Sequence, residues 1–334
     1  MKKKILAAAM AAVMAFSLMG CGSSTDTNTG GSAEANGSAS GGSYNDVTVA
    51  VILKTLSSEY WGYVAAGIEA AEADLGCEVI LNGPPSETSY DEQQNMIETT
   101  VAREDVDAIA IAPLQADLVA TLVKDAKIPV LAVDTRIEGA DNVLTFVGTD
   151  HETAAYNGAY EICSQMENAK VAFIEGVQGD TTNTARFTGF EKGATEAGAE
   201  VLNIQYCNAA DDQARNCMDS ILTLYPNEGD LDIVFVCNDG CAQAAARALQ
   251  EAGRDDILIC GYDGISSGVQ AIIDGDMFAS VAQDPYNIGY QCVVAACEAA
   301  VGEEIEENID TGSRLITSEN AEAYLSTLKE YLGE

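Results

Sequence analysis

Polar side chains that could bind hydroxyl groups follow six apolar runs with the composition of β-strands. They are Lys54, Asp134, Arg186, Asn238, Asp263 and Gln283. Carboxylate and amide groups exchange hydrogen bonds with neighbouring hydroxyls, and the guanidinium group of arginine supplies a rigid set of donors. Each residue could instead form a turn or cap a helix. Six in the same position relative to a strand predict a pocket for a small polar molecule.

An aromatic pair lies close behind the first of these positions. Tyr60 and Trp61 fall in the first turn of a predicted helix, which Ser57 or Ser58 can cap. Aromatic faces pack well against the apolar C–H face of a sugar ring. The alternative is that both rings only cover the sheet, and the pair alone does not decide between these interpretations.

Short apolar runs alternate with segments of helical periodicity from residue 47 onward. This alternation predicts parallel α/β sheets that are buried on both faces. The predicted strands cover residues 47–53, 78–81, 108–112, 129–133, 143–147, 170–174, 200–205, 232–236, 257–261 and 278–282. So many strands favour two doubly wound lobes over one sheet. Ligands of such sheets bind beyond the carboxyl ends of the strands, where the polar residues stand.

The sequence argues against most catalytic chemistry. His151 is the one histidine, and there is neither a Gly-x-Ser-x-Gly nucleophile motif nor a Walker phosphate-binding loop. Asp134 and Asp263 could in principle serve as the carboxylate pair of a glycosidase. Hydroxyl recognition explains the same residues with fewer assumptions. We therefore predict a binding protein that is not an enzyme, with no catalytic residue, no cofactor and no metal site.

The N-terminus has the pattern of a secretory signal. Three lysines follow Met1, an apolar run covers residues 5–18, and Cys21 comes directly after Gly20. The run is shorter than the roughly 20 residues that a membrane-spanning helix needs, although an uncleaved anchor is the alternative. Residues 22–43 are almost entirely Gly, Ser, Thr, Ala and Asn, which predicts a flexible tether.

The net charge bears on the binding partners of the protein, and the cysteine content bears on its disulfides. The chain has 53 Asp and Glu against 16 Lys and Arg, a balance that repels nucleic acid, so we expect no nucleic-acid partner. The cysteines after Cys21 are odd in number and irregularly spaced, which does not suggest a disulfide framework. Cys207 and Cys217 are a conceivable pair, since disulfides form outside the cell. Cys237 and Cys260 fall in predicted strands, where cysteine behaves as a small buried residue.

Two resemblances to known families rest on these residues. Residues 18–21 (LMGC) resemble the lipobox of bacterial lipoproteins, which implies a lipid anchor on Cys21. From about residue 47 to 309 the chain resembles the ribose-type family of periplasmic sugar-binding proteins, the type 1 periplasmic binding proteins. The motifs are residues 56–61 (LSSEYW), 128–130 (IPV), 186–190 (RFTGF), 235–239 (FVCND), 261–264 (GYDG) and 282–283 (AQ).

The second resemblance implies two Rossmann-like lobes joined by three crossover strands, with the sugar enclosed between them. It implies an N-terminal lobe of residues 45–149 and 284–309, and a C-terminal lobe of residues 150–283 and 310–334, after a signal (1–20) and a tether (21–44). Tyr60 and Trp61 match the aromatic pair that sandwiches the sugar ring, and Ser58 matches a polar contact before it. The hydroxyl partners of the sugar match Asp134, Arg186, Asn238, Asp263 and Gln283.

The sequence departs from the family pattern at three places. Lys54 occupies a position that often holds a small polar residue, which adds a charged, long donor to the expected site. The arginine that commonly follows the first carboxylate is displaced to Arg136, behind Thr135. The aromatic residue of the C-terminal lobe is replaced near Ala209. These departures leave the identity of the ligand open.

Together these features predict a lipoprotein on the outer face of the cell membrane. It would capture a monosaccharide or similar polyhydroxy ligand by hinge closure, as a monomer, and deliver it to the permease of an ABC transporter. A sensor that relays an autoinducer or nutrient to a membrane receptor is the alternative. A repressor of the lactose-repressor type shares the lobe pair, but the chain has a signal and a tether where such proteins carry a helix-turn-helix.

Overall fold

The computed structural model describes residues 44–333, which contain two six-stranded sheets. The predicted signal, the lipidation site Cys21 and nearly all of the tether lie outside the described residues. The strands are β1 (Thr48–Ile52), β2 (Glu78–Asn82), β3 (Ala108–Ile111), β4 (Val130–Val133), β5 (Val143–Gly148), β6 (Lys170–Glu175), β7 (Glu200–Tyr206), β8 (Ile233–Val236), β9 (Leu258–Asp263), β10 (Ala279–Gln283), β11 (Asn308–Asp310) and β12 (Ser313–Thr317).

Ten helices alternate with these strands in the described part of the chain. They are α1 (Glu59–Leu75), α2 (Tyr90–Val101), α3 (Ala116–Val123), α4 (His151–Cys163), α5 (Thr181–Glu196), α6 (Asp211–Leu224), α7 (Asp239–Ala252), α8 (Ser266–Asp274), α9 (Pro285–Ala300) and α10 (Ala321–Tyr331). No helix among residues 44–333 is long and apolar enough to cross a membrane.

The sheets are parallel apart from one strand pair. The first sheet has the order β11-β5-β4-β3-β1-β2 and the second has the order β12-β10-β9-β8-β6-β7. Only β10 and β12 pair in the antiparallel direction among the described strands. The chain changes sheet after β5, after β10 and after β11. The predicted fold class, two parallel-dominated α/β sheets with helices on both faces, is confirmed.

The central strands are apolar throughout because helices cover both of their faces. On β1, Val49 and Val51 belong to one buried cluster, whereas Ala50 and Ile52 belong to another on the opposite face. Strand β8 repeats the arrangement in the second sheet, with Val234 and Val236 on one face and Ile233 and Phe235 on the other. Side chains alternate between the faces of a strand, so only an unbroken apolar run fills both cores.

Two glycines allow helices α1 and α9 to pack closely against each other beside the first sheet. A Cβ atom on Gly67 of α1 would lie 1.9 Å from the carbonyl oxygen of Tyr286, and one on Gly289 of α9 would lie 2.0 Å from that of Val64. The two backbones therefore touch at these positions. This contact holds α9, which follows strand β10 of the second sheet, against the first sheet.

Tyr44, the first residue that the structure describes, already belongs to the folded part. Its amide donates to the carbonyl of Leu75 at 3.0 Å, and its side chain is 9 % exposed and packs in the first-sheet core. Tyr44 is thus the last residue of the predicted tether and also a contact of α1.

The structure corrects the cysteine hypothesis. The cysteines of the described residues are all free, and no disulfide joins Cys207 to Cys217. The thiol of Cys217 donates instead to the carbonyl of Tyr206 at 3.5 Å. The sulfur of Cys207 lies 3.7 Å from that of Cys237.

Candidate ligand-binding site

Lys54 and Asp134 form an ion pair at the carboxyl ends of β1 and β4. The Lys54 Nζ lies 3.4 Å from the Asp134 Oδ2, and the side chains are 14 % and 5 % exposed. Burial alone would raise the pKa of Asp134, but the Lys54 charge and other donors hold it below its ordinary value. The carboxylate is therefore ionised at neutral pH. Its backbone has φ 61°, a left-handed conformation that is strained for a non-glycine residue and typical of functional sites.

The two rings of the aromatic pair have different surroundings: Tyr60 contacts the Lys54–Asp134 ion pair, whereas Trp61 packs in the core. The Tyr60 hydroxyl donates to the Asp134 Oδ1 at 2.8 Å. Trp61 is only 3 % exposed, packs in the first-sheet core, and donates its indole N–H to the Oε1 of Glu87 at 2.9 Å. The rings meet edge to face, with centroids 5.1 Å apart. In this conformation Tyr60 presents a polar edge to the site, and Trp61 mainly supports it.

A second ion pair stands at the carboxyl ends of the second sheet. The Arg186 Nη2 lies 3.2 Å from the Asp263 Oδ1, and the guanidinium lies over the ring of Tyr262, 4.0 Å from its centroid. Burial raises the pKa of Asp263 to about 6 although Arg186 opposes it. Gln283 donates to the same carboxylate at 2.8 Å, and Asp263, like Asp134, has a positive φ, here 107°.

Arg186 lies on α5 rather than directly after the strand β6. The polar segment 175–184 contains the start of α5 at Thr181, because the Asp180 side chain accepts a hydrogen bond from the Asn183 amide at 2.8 Å and caps the helix. A helical Arg186 is held more rigidly than a loop residue. Its Nη1 donates to the carbonyl of Cys237 at 2.9 Å.

Side-chain contacts link the surroundings of the Lys54–Asp134 ion pair to those of the Arg186–Asp263 ion pair, and so connect the two sheets. The Tyr60 hydroxyl lies 3.3 Å from the Gln283 Oε1, and the hydroxyls of Thr135 and Thr182 are also 3.3 Å apart. His151 lies between the groups, with Nε2 3.3 Å from the Asp134 carbonyl oxygen and Nδ1 3.1 Å from the Tyr262 hydroxyl. Burial lowers the pKa of His151 to about 4, so the ring is neutral. A proton on Nε2 satisfies both contacts.

Ser58 and Asn238 cap helices. The Ser58 hydroxyl accepts from the Trp61 amide at 3.5 Å, and the Asn238 Oδ1 accepts from the Cys241 amide at 2.8 Å. Neither side chain bonds to the two ion pairs. Asn238 nevertheless stands directly behind Cys237, whose carbonyl binds Arg186, so it lies at the edge of the site. A ligand role for both residues stays a prediction.

Several polar residues of the site were not among the predicted ones. Thr135 donates to the Asp134 Oδ2 at 2.9 Å, and Glu87 holds the Trp61 indole. The Glu175 Oε1 and the Arg186 Nε are buried without a hydrogen-bond partner among residues 44–333, and both residues line a cavity of about 10 Å³. Such a cavity has room for about one water molecule. Glu175 could have been predicted as a site residue, because it is a charged residue at the carboxyl end of the apolar strand β6.

The family assignment follows from sequence comparison. Residues 49–304 match the family described as the periplasmic binding protein domain. The chain belongs to this family. Membership confirms the resemblance seen in the sequence motifs, and it places this periplasmic binding protein among extracytoplasmic binding proteins.

Two curated relatives and one solved structure illustrate the relationship. The ribose import binding protein of Salmonella typhimurium strain LT2 is 28 % identical over 277 residues, which cover 80 % of this chain and 90 % of the relative. The D-allose-binding periplasmic protein of Escherichia coli K12 is 31 % identical over 254 residues, or 72 % of this chain and 80 % of the relative. A periplasmic solute binding protein of an ABC transporter from Actinobacillus succinogenes 130z, solved with bound D-allose, superposes with a TM-score of 0.76 at 25 % identity. That match covers 83 % of this chain and all of the other.

Proposed function

We propose that this protein captures a neutral monosaccharide or a similar polyhydroxy molecule between its two sheets and delivers it to the permease of an ABC transporter. The observation that carries the proposal is the meeting of two ion pairs, Lys54–Asp134 and Arg186–Asp263, at facing carboxyl ends of the sheets. Buried charged donors and acceptors bind hydroxyl groups with strong, directional hydrogen bonds. The sugar-binding relatives support the same class of ligand.

The charge of the site favours a neutral ligand. Each cation faces a carboxylate, so the four groups carry no formal net charge, and Lys54 is already engaged with Asp134. An acidic ligand would have to compete with Asp134 for Lys54. A polyhydroxy molecule can instead accept from Lys54 and Arg186 while it donates to both carboxylates.

Hinge closure is the mechanism that fits this arrangement. The lobes would be residues 45–149 with 284–309, and residues 150–283 with 310–334, each moving as a rigid body about the three crossings. The hydrogen bond that the Ser267 hydroxyl donates to the Glu59 Oε2 at 3.1 Å would join the two lobes when they are closed. A ligand that binds both carboxylates shifts the equilibrium towards closure, because only the closed state satisfies both sets of partners.

The anchor and the partners belong to the same proposal. Lipid on Cys21 would hold the protein at the outer face of the cell membrane, and the segment from Cys21 to Tyr44 would serve as its tether. The permease would recognise the closed monomer. The protein would have no catalytic activity of its own, since hydroxyl recognition accounts for both carboxylates.

A melting-temperature screen of the purified full-length protein tests the proposal. The panel holds pentoses, hexoses, polyols, inositols, sugar acids and autoinducer-2. A ligand at 100 times its dissociation constant stabilises by about 2.7 kcal/mol, which raises the melting temperature by about 4 °C. We expect a shift with one class of neutral sugar or polyol. The shift should fall by about half or more in Asp134→Asn and persist in Asp105→Asn, an exposed carboxylate remote from the site.

A panel without any shift would contradict the proposal. A shift with the sugar acids alone would contradict the argument from charge and would assign Lys54 to a ligand carboxylate. A shift that survives Asp134→Asn unchanged would place the ligand elsewhere.

A further inference from the structure

Three buried cysteines meet beside the second sheet, and one of them is Cys237, whose carbonyl accepts a hydrogen bond from Arg186. Cys207 follows β7, Cys237 follows β8, and Cys241 lies in the first turn of α7. The Cys207 sulfur lies 3.7 Å from that of Cys237 and 3.8 Å from that of Cys241. All three sulfurs lie within 4.8 Å of one another, and no side chain is more than 6 % exposed.

These separations suit a tetrahedral metal site. With zinc–sulfur bonds of about 2.3 Å, two sulfur ligands of a tetrahedral ion lie about 3.8 Å apart. Both measured distances from Cys207 agree with that value. Thiols that only fill a core would need no such convergence from three separate elements, because a single cysteine serves that purpose.

A fourth ligand is available at the edge of the cluster. The Oδ1 of Asp211, the first residue of α6, lies 3.9 Å from the Cys241 sulfur. Carboxylates accompany thiolates as zinc ligands, with bonds of about 2.0 to 2.2 Å. Asp211 is exposed, so an ion can enter past it without unfolding the core.

We propose that Cys207, Cys237, Cys241 and Asp211 bind one thiophilic metal ion, for which Zn²⁺ is the ion of matching geometry. Thiolates favour Zn²⁺ and Cu⁺ over hard cations, and a four-ligand tetrahedral set selects Zn²⁺. Each coordinating thiol gives its proton to the solvent, so binding of one ion releases about three protons. The spacing in the sequence conceals the site, since Cys207 lies 30 residues before Cys237.

The site would stiffen the turn that carries part of the ligand site. Cys237 supplies the carbonyl that Arg186 binds, and Cys241 supplies the amide that Asn238 caps. An ion that joins Cys237 and Cys241 to Cys207 would fix the β8–α7 turn against the end of β7. Because three thiolates and a carboxylate exceed the charge of Zn²⁺, the adjacent Arg186 guanidinium also offsets the excess negative charge.

Spectroscopic titration of the reduced full-length protein with Co²⁺ tests this inference, followed by displacement with Zn²⁺. We expect one ion per chain, a thiolate-to-cobalt charge-transfer band, and loss of the band when Zn²⁺ is added. Cys241→Ala should abolish the band. Cys292→Ala removes a buried thiol of α9 outside the cluster and should leave the band unchanged.

Asp211→Asn provides a test that does not disturb the core. It should weaken the affinity for Zn²⁺ on the order of tenfold, while the circular dichroism spectrum stays that of the wild type. The proposal is overturned if the folded, reduced wild type gives no charge-transfer band, if a folded Cys241→Ala variant keeps it, or if Asp211→Asn binds Zn²⁺ as tightly as the wild type.

Discussion

Replacing Lys54 by methionine isolates the most unusual feature of the site, its buried ion pair with Asp134. Methionine keeps much of the length of the lysine side chain but removes the charge that lies 3.4 Å from the carboxylate. Asp134 would remain 4 % exposed and lose its strongest electrostatic stabilisation. Removing one partner of a buried pair costs about 3 to 5 kcal/mol. The hydroxyls of Tyr60 and Thr135 still donate to Asp134, so we expect the lower end, about 3 kcal/mol.

The loss of unfolding free energy in Lys54→Met should depend on pH, and the pKa of Asp134 sets the direction of this dependence. In the wild type the pKa of Asp134 is depressed, so its contribution to stability is present above the unfolded pKa and is lost as the pH falls. Without Lys54 the pKa of Asp134 rises, because burial is no longer opposed by that charge. Protonation then relieves the penalty in acid. The difference in unfolding free energy between wild type and Lys54→Met should therefore be smaller at pH 5 than at pH 7.5.

Urea unfolding followed by circular dichroism measures these differences. Lys124→Met, at an exposed lysine after α3, is the matched control and should change stability by less than about 0.5 kcal/mol. The double variant Lys54→Met/Asp134→Asn should recover much of the loss, since it removes the unpaired charge. Equal stability of Lys54→Met and Lys124→Met, or a double variant less stable than Lys54→Met, would refute this account of the pair.

Three further outcomes follow from the structure. Burial raises the pKa of Asp239 to about 8, so this group should lower stability by about 1.4 kcal/mol per unit as the pH rises from 5 to 7. In urea titrations, the slope of unfolding free energy against pH should differ between wild type and Asp239→Asn by that amount, and an unchanged slope would contradict the assignment. Arg186→Ala should weaken ligand binding in calorimetry by about 2 kcal/mol or more, because it removes a buried anchor. Binding equal to the wild type would exclude Arg186 from the site. Gly67→Ala should lower the unfolding free energy by about 1 to 3 kcal/mol, because its Cβ would overlap the Tyr286 carbonyl, and a stable variant would show that α1 and α9 can separate.

The strands that build the two sheets were predictable because they are buried on both faces. An apolar run such as residues 233–236 indicates a strand with both faces buried, because neither face carries a polar side chain. Strands β11 and β12 (NID and SRLIT) were not predicted, because they are short, partly exposed and polar enough to resemble loops. Edge strands bury little surface, so the sequence carries little signal for them.

The residues of the site were likewise predictable only where a buried strand positions them. Asp134, Asp263 and Gln283 could be proposed from sequence because each stands at the end of a buried parallel strand. Glu87 comes from a loop after β2 and contacts Trp61 within the first-sheet half, whereas Thr182 comes from a helix start and meets Thr135 only because the two sheets face each other. That relation is a property of the tertiary structure. The cluster of Cys207, Cys237 and Cys241 also depends on tertiary contacts, because it joins the ends of β7 and β8 to the first turn of α7.

Calorimetric titration of one carboxylate variant from each sheet tests the central claim most directly. The titrant is the panel member that raises the melting temperature most, and the variants are Asp134→Asn and Asp263→Asn beside the control Asp105→Asn. If the ligand bridges the sheets, both site variants lose affinity on the order of tenfold or more, and the control binds like the wild type. Unchanged affinity in either site variant would contradict the account, because the ligand would then be held by one sheet alone.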